Sequence, residues 1–281
     1  MESLIATIKQ AMVDGRPLPF SVYASAKEQR ILNVPVIKPL LIFVLSGNKR
    51  LGDPADLSGH GRNSQEHFCG AGQFVFLSNT PTIAMRNIPN DEPYFALLLS
   101  FEYSDFAEFA PISHRANHFF QGDISLPLEQ SLEQLIHWSA FAAPELWHLR
   151  RKELLHLLVS LGFEQEVRSV MEPPTLSHQV YTLCAADIAA DLSAQTVAAE
   201  LAMSESTLRR KLQAEGSGFQ DIKESVKLGH GLHLLQTTFD SIGCVAEQCG
   251  YGSQSRFTEK FKQRFGLTPR ALRKTRMTDL G

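Results

Sequence analysis

The sequence is short of several things, and each shortage closes off a class of explanation. It has only four cysteines in 281 residues, Cys69, Cys184, Cys244 and Cys249, and no two form a Cys-x-x-Cys pair. Cys244 and Cys249 fall in the apolar pattern of one helix and read as small core hydrophobes. No apolar run is long enough to span a bilayer, so no membrane partner is expected. The first residues, MESLIATIKQAM, lack the basic head and long apolar stretch of a secretory leader. Together these point to a reducing cytoplasm.

Catalytic signatures are missing too. There is no Gly-x-Ser-x-Gly elbow, no phosphate-cradling glycine loop and no His-Glu-x-x-His. No catalytic residue is therefore assigned and no enzyme is expected. Asp105 and Glu108 read as a solvated helix face. His60, Glu66 and His67 are near one another in sequence, and His114 and His118 are four apart, but no His-x-His lies on a strand. No metal site and no cofactor are expected.

Strong net charge is also lacking: the balance is −3, with 43% apolar residues, ample for a packed core. Its distribution says more. Residues 1–175 carry 14 Lys+Arg against 19 Asp+Glu, whereas from Ser241 onward the count is 8 against 3. The basic charge gathers at the C-terminal end, where a nucleic-acid surface would need it.

What is present is organised around residues 175–277. In SIGCVAEQCGYGSQSRFTEKFKQRFGLTP, residues 241–269, Ile242, Val245, Ala246 and Cys249 recur at helical spacing. Gly250 ends that helix in a left-handed turn, and Ser253 caps the next. There Phe257, Phe261 and Phe265 stack four apart on one face, opposite Arg256, Lys260, Lys262 and Arg264. An apolar inner stripe with a basic outer face suits a DNA major groove. Residues 195–219 repeat the plan: Val197, Ala198 and Leu201 on the first helix, Ala202 and Met203 in the turn, Ser204 as cap, Leu208 and Leu212 as anchors. A helix from Phe219 to Gln236 joins the two. Its eighteen residues reach roughly 27 Å, against about 34 Å between successive major grooves on one DNA face.

Upstream, the pattern is strand-like. Residues 20–23, 40–45, 74–77, the stretch with Ile83 and Met85, and 94–101 read as short strands separated by turns, a small barrel or sandwich. After Pro127 the period becomes helical, with Leu128, Leu132, Leu135 and Ile136 on one helix and Leu154, Leu157, Leu158 and Leu161 on another, started by Pro144. Glu172-Pro173-Pro174 reads as a linker.

Residues 193–276 resemble the DNA-binding domain of the AraC/XylS family of bacterial transcription regulators. Ser204, Leu208 and Arg210 match its first recognition helix. Ile242, Val245, Ala246, Gly250 and Tyr251 match the start of its second unit. Ser253, Ser255, Phe257, Phe261 and Lys262 match the second recognition helix, and Gly266, Thr268 and Pro269 close it. Three positions depart: Glu259 stands where the family has Arg, Lys227 replaces the Arg of the joining helix, and Gly231 replaces an Ala, at about 1 kcal/mol of helix propensity. Residues 38–52, 70–84 and 92–102 resemble the ligand-sensing domain of one subgroup. The resemblance implies an α+β chain: a cupin-like β-barrel over 1–126, a helical dimerisation region and linker over 127–172, and an all-α domain with two helix-turn-helix units over 175–281.

The implied function is a dimeric, effector-controlled transcription regulator that binds double-stranded DNA, with RNA polymerase as a possible further partner and activation as the expected sign. Ser204, Ser206, Thr207, Arg209 and Arg210 in the first unit, and Ser253, Gln254, Ser255, Arg256, Thr258 and Lys260 in the second, are the DNA-contact candidates; Arg209 and Arg210 are suited to a guanine edge and a phosphate. For the effector, Phe43, Phe74, Phe76 and Tyr94 supply aromatic walls and Lys49 and Arg50 a carboxylate anchor, unless the aromatics simply fill the core. An N-terminal domain that binds a protein and no ligand, or a cupin-like enzyme with a DNA-binding tail, are the alternatives.

Overall fold

The computed structural model describes residues 1–13, 16–36, 38–53, 66–78, 80–109, 119–170, 175–188, 190 and 192–276. His60, His114, His118 and the 172–174 linker lie outside that set. The chain divides into two compact units, Met1–Glu172 with Thr275–Gly281, and Pro173–Lys274.

The first unit begins with helix α1 (Glu2–Val13) and continues into strands β1 (Ser21–Ser25), β2 (Gln29–Val36), β3 (Leu40–Ser46), β4 (Asn48–Gly52), β5 (His67–Gly70), β6 (Gln73–Leu77), β7 (Thr80–Ile88), β8 (Tyr94–Ser100) and β9 (Phe119–Asp123). They pair antiparallel into two sheets, β1-β8-β3-β6-β9 and β2-β7-β4-β5. Among the described residues this is a cupin-like pair of sheets rather than a closed barrel. Helices α2 (Leu126–Ser139), α3 (Trp147–Leu158) and α4 (Glu164–Ser169) follow.

The period-two alternation of the strands divides the buried side chains into two cores. Ile42, Val44, Val75, Leu77 and Leu98 meet Val36, Leu51, Ile83 and Met85 between the sheets. Phe43, Phe74, Phe76, Phe95 and Phe101, from the opposite face of the five-stranded sheet, pack against Leu4 and Ile8 of α1, Leu128 and Leu132 of α2, and Leu154 and Leu158 of α3. The helices of 127–172 thus share a core with the sheet. Leu161 departs from the expected stripe: a wide turn over Val159–Phe163 breaks the helix, Leu161 is left exposed, and Leu155 is buried instead.

Asp105 is not solvated. It is 2% exposed and accepts from the backbone N–H of Glu102 at 2.8 Å and from Arg151 Nε at 2.5 Å and Nη2 at 3.3 Å. Glu108 does lie at the surface, paired with Lys152 and, at 3.1 Å, with His156. These two partners, Lys152 first, hold its carboxyl below the usual range. The charges tie the single turn Tyr103–Phe106 to α3.

The second unit is helical: α5 (Leu176–Ala186), α6 (Ala194–Glu200), α7 (Glu205–Ala214), α8 (Phe219–Thr237), α9 (Ile242–Gln248), α10 (Gln254–Phe265) and α11 (Pro269–Thr275). Val180 and Cys184 of α5 join Val197, Ala198, Leu208, Leu212, Phe219, Ile222 and Val226 in one core. Phe257, Phe261 and Phe265 are fully buried, as are Val245, Ala246 and Cys249. Their rings succeed one another at 5.5 and 4.6 Å between centroids.

Candidate DNA-binding interface

Each half of the second unit is a helix, a tight turn and a second helix, and the two halves are built by the same local chemistry. A serine caps each of the four helices: Ser193 on α6, Ser204 on α7, Ser241 on α9 and Ser253 on α10, each accepting from the backbone N–H three residues on. Those N–H groups have no partner inside the helix, so each cap satisfies an otherwise open donor. The turns match as well. Ala202 sits at φ 51° and Gly250 at φ 69°, and the following residues close the same bond back into the helix, Met203 N–H to Ala198 O and Tyr251 N–H to Ala246 O, both 2.9 Å.

Helix α8 is 19 residues long, about 28 Å at 1.5 Å per residue. It contributes Phe219, Ile222 and Val226 to the core around α6 and α7. Further along, a Cβ at Gly231 would stand 2.8 Å from the Phe257 ring and 3.1 Å from Cys249 Sγ. The Ala-to-Gly departure therefore makes room for a ring of α10. Lys227 reaches Gly250 O at 3.4 Å, a single donor to the carbonyl of the left-handed turn residue.

The exposed side chains of α7 and α10 define the surface. Arg210 is exposed, and its guanidinium makes no hydrogen bond or ion pair among the described residues. Arg209, also exposed, is held by Glu205 one turn back at 2.6 Å. Ser206 and Thr207 hydroxyls lie 3.0 and 2.9 Å from Ser204 Oγ, so Ser204 is committed to the cap. On α10, Gln254, Ser255 and Arg256 are exposed, Thr258 is half-buried and Glu259 exposed. Ser253 is spent on its cap, accepting from Arg256 N–H at 3.3 Å. Lys260 pairs with Glu224 of α8 at 3.0 Å. Arg264 does not belong to the outer face: it is half-buried, donates to Ser225 Oγ at 2.9 Å, and lies 5.9 Å from the centroid of the Phe265 ring.

The six effector candidates do not converge on one site. Phe43, Phe74 and Phe76 face the helices, Tyr94 lies between the sheets, and Arg50 is at the surface, bound to Glu66 at 3.0 Å. Lys49 is the unexpected one. It is 1% exposed, with Nζ 2.7 Å from Asn87 Oδ1 and 3.5 Å from Tyr94 Oη, opposite Cys69 in the β4–β5 ladder. Asn87 in turn donates to Gln29 at 3.1 Å. A polar string thus runs through an otherwise apolar core. Burial lowers the Lys49 amine from its ordinary 10.5 to about 8 and raises the Cys69 thiol from 9.0 to about 11.

These shifts set a pH profile. Between pH 8 and 10.5 the unfolded chain keeps a proton on Lys49 that the folded chain has released, so stability rises with pH. Above pH 9 the unfolded Cys69 ionises before the folded one, so its own contribution to stability falls. The two contributions offset each other between about pH 9 and 10.5, so the first unit should gain stability up to about pH 9 and level off there, with Lys49 contributing a gain of about 1 kcal/mol between about pH 8 and 9. Urea denaturation across that range measures it, and Lys49→Met should flatten the rise. A wild-type profile already flat there contradicts the buried amine.

Two like helix-turn-helix lobes on a shared helix define a tandem helix-turn-helix DNA-binding domain. Residues 197–275 match the HTH_18 helix-turn-helix domain model, in keeping with the resemblance of residues 193–276 to the AraC/XylS DNA-binding domain. The chain is 30% identical over 149 residues to the HTH-type transcriptional regulator GadX of Escherichia coli K12, covering 51% of this chain and 53% of that protein. It is 35% identical over 101 residues to the transcriptional regulator SirC of Salmonella typhimurium, covering 36% and 34%. It therefore spans about half or less of the length of these curated relatives. Among solved structures, an apo point variant of ToxT of Vibrio cholerae aligns with TM-score 0.68 at 15% identity over 93% of this chain and 99% of that one. Unsaturated fatty acid bound ToxT aligns with TM-score 0.63 at 15% identity, over 92% and 96%. At that identity the likeness is one of fold.

Proposed function

We propose that the protein is a sequence-specific DNA-binding transcription regulator whose first unit responds to an effector. The observation that carries the DNA reading is Arg210: a guanidinium without a partner among the described residues, at the surface of a serine-capped helix, in a domain resembling that of the AraC/XylS family. Arg210 reads a base edge, Arg209 and the cations of α10 hold phosphates, and Ser206, Gln254 and Ser255 make polar contacts. The test is selection of duplexes by the full chain from a random pool, followed by fluorescence anisotropy. Arg210→Ala should weaken the selected duplex about tenfold, roughly 1.4 kcal/mol, with the melting temperature unchanged. Unaltered affinity removes Arg210 from the interface.

For the effector, two observations favour an apolar carboxylate. A similar fold is seen bound to an unsaturated fatty acid in ToxT, and Lys49 here is a buried ammonium whose hydrogen-bond partners among the described residues, Asn87 and Tyr94, include no carboxylate. An acid entering between the sheets gains the Lys49 charge in a low-dielectric setting. Unsaturated fatty acids should raise the melting temperature of the full chain, and Lys49→Met should lose most of the shift. No shift with any of them assigns the first unit to a protein partner instead. We place the protein in the cytoplasm as a homodimer that multiplies DNA affinity through effective concentration, with RNA polymerase as the partner it addresses once bound.

A further inference from the structure

Resting on the DNA reading, we propose that the cleft between α8 and the first turns of α10 seats a DNA backbone phosphate, and that Glu224 holds that seat until DNA arrives. The cleft has a volume of about 570 Å³, and four cations, Lys223, Lys227, Arg256 and Lys260, line it against two carboxylates, Asp221 and Glu224. Lys223 is held by Leu192 O at 2.8 Å, but the other three cations have weak or replaceable partners or none among the described residues. The Arg256 guanidinium has no hydrogen bond or ion pair among the described residues. Lys227 makes one long bond, 3.4 Å, to Gly250 O. Lys260 is bound to Glu224 at 3.0 Å, with both side chains about one-third exposed.

The floor of the cleft is open. It includes the Gly250–Gly252 turn, and a Cβ at Gly252 would meet nothing within 4 Å, so an anion can approach the backbone there. Arg256 and Lys260 are four residues apart on the reading helix, hence one above the other on the same face. An anion beside that face meets both, with Lys227 across from them on α8. In the free protein, among the described residues, the anion bonded to Lys260 is the carboxylate of Glu224. A phosphodiester with its several acceptor oxygens replaces Glu224 as the partner of Lys260, and the displaced carboxylate then repels it. Glu224 is thus a competitor built into the rod: it keeps a phosphate-binding lysine neutralised and lowers affinity for every sequence alike.

The test compares a duplex selected from a random pool with an unselected duplex of equal length, using the full chain across a salt series. Glu224→Gln should tighten both by roughly fivefold and steepen the log–log salt dependence by about 0.9, the value for one more neutralised phosphate. Arg256→Gln should weaken both and make the slope shallower by a similar amount. Arg210→Ala serves as reference, weakening the selected duplex far more than the unselected one. If Glu224→Gln leaves affinity and slope unchanged, or weakens binding, while Arg210→Ala still costs selectivity, the phosphate seat is wrong and the DNA reading stands. If the unaltered chain does not distinguish the selected duplex from the unselected one, the sequence-specific DNA reading itself fails. Tighter binding of inorganic phosphate by Glu224→Gln, with duplex affinity unmoved, likewise overturns a DNA seat.

Discussion

Asp105→Ala should lower the stability of the first unit by about 3 kcal/mol. The carboxylate is 2% exposed and accepts three donors: Arg151 Nε, Arg151 Nη2 and the Glu102 backbone N–H. Arg151 is itself mostly covered, its side chain 16% exposed. Removing the acid leaves a guanidinium out of water with no counter-charge, which costs more than the pair contributes when intact, because the desolvation remains and the attraction is gone. It also opens the N–H that the carboxylate caps on the turn Tyr103–Phe106. The charged pair between Glu108 and Lys152 cannot compensate, since it is exposed and screened. Urea denaturation of the full chain should show the loss in the transition of the first unit. Asp105→Ala combined with Arg151→Met should recover most of it, since no unpaired charge is then buried. A loss under about 0.5 kcal/mol would place Arg151 in solvent instead.

Asp105 also marks where sequence reading stopped. Its partner is 46 residues away in the chain, and nothing local distinguishes an acid facing water from one facing a distant arginine. Strands β2, β4, β5 and β9 were hidden for a related reason. Asn48-Lys49-Arg50-Leu51-Gly52 has a composition that strands avoid, yet β7 and β5 pair it on both sides. The same limit left Lys49 and Arg50 side by side as carboxylate anchors: alternation says that they face opposite ways, not which of them faces inward.

The aromatic set divides by parity. Phe43, Phe74 and Phe76 are regular core positions, but a strand buried on both faces does not declare which face meets the second sheet and which meets helices. Helix α5 was missed because only Val180 and Cys184 of it are fully buried, with Leu176, Tyr181 and Leu183 partly buried beside them; the Glu215 carboxylate also holds its start, accepting from Leu176 and Ser177 N–H. The tandem lobes were legible because their determinants are local. Caps, a left-handed glycine and rings four apart each act within a few residues, and repeated in order they leave little freedom. Arg264 shows the limit of that logic, since the basic pattern of α10 does not reveal that one of its cations turns back to Ser225.

Gly231→Ala should destabilise the second unit by a net of about 1 kcal/mol, against the direction helix propensity gives. In an exposed helix the change would stabilise by about 1 kcal/mol. Here the new methyl would stand 2.8 and 2.9 Å from two atoms of the Phe257 ring and 3.1 Å from Cys249 Sγ. The ring cannot swing aside, because it is fully buried between Tyr251 at 5.3 Å and Phe261 at 5.5 Å. Overpacking of that kind costs about 1–3 kcal/mol, occasionally more, and it falls on the stack that fixes α10. The expected signature is a lower melting temperature together with weaker DNA binding, since the reading helix moves with its ring. Phe257→Leu should relieve the clash, so the double variant should be more stable than the sum of the two single changes allows. Thermal melts of the four proteins decide it. If Gly231→Ala alone stabilises, α8 and α10 are further apart than these contacts require, and the glycine is there for a reason other than the ring.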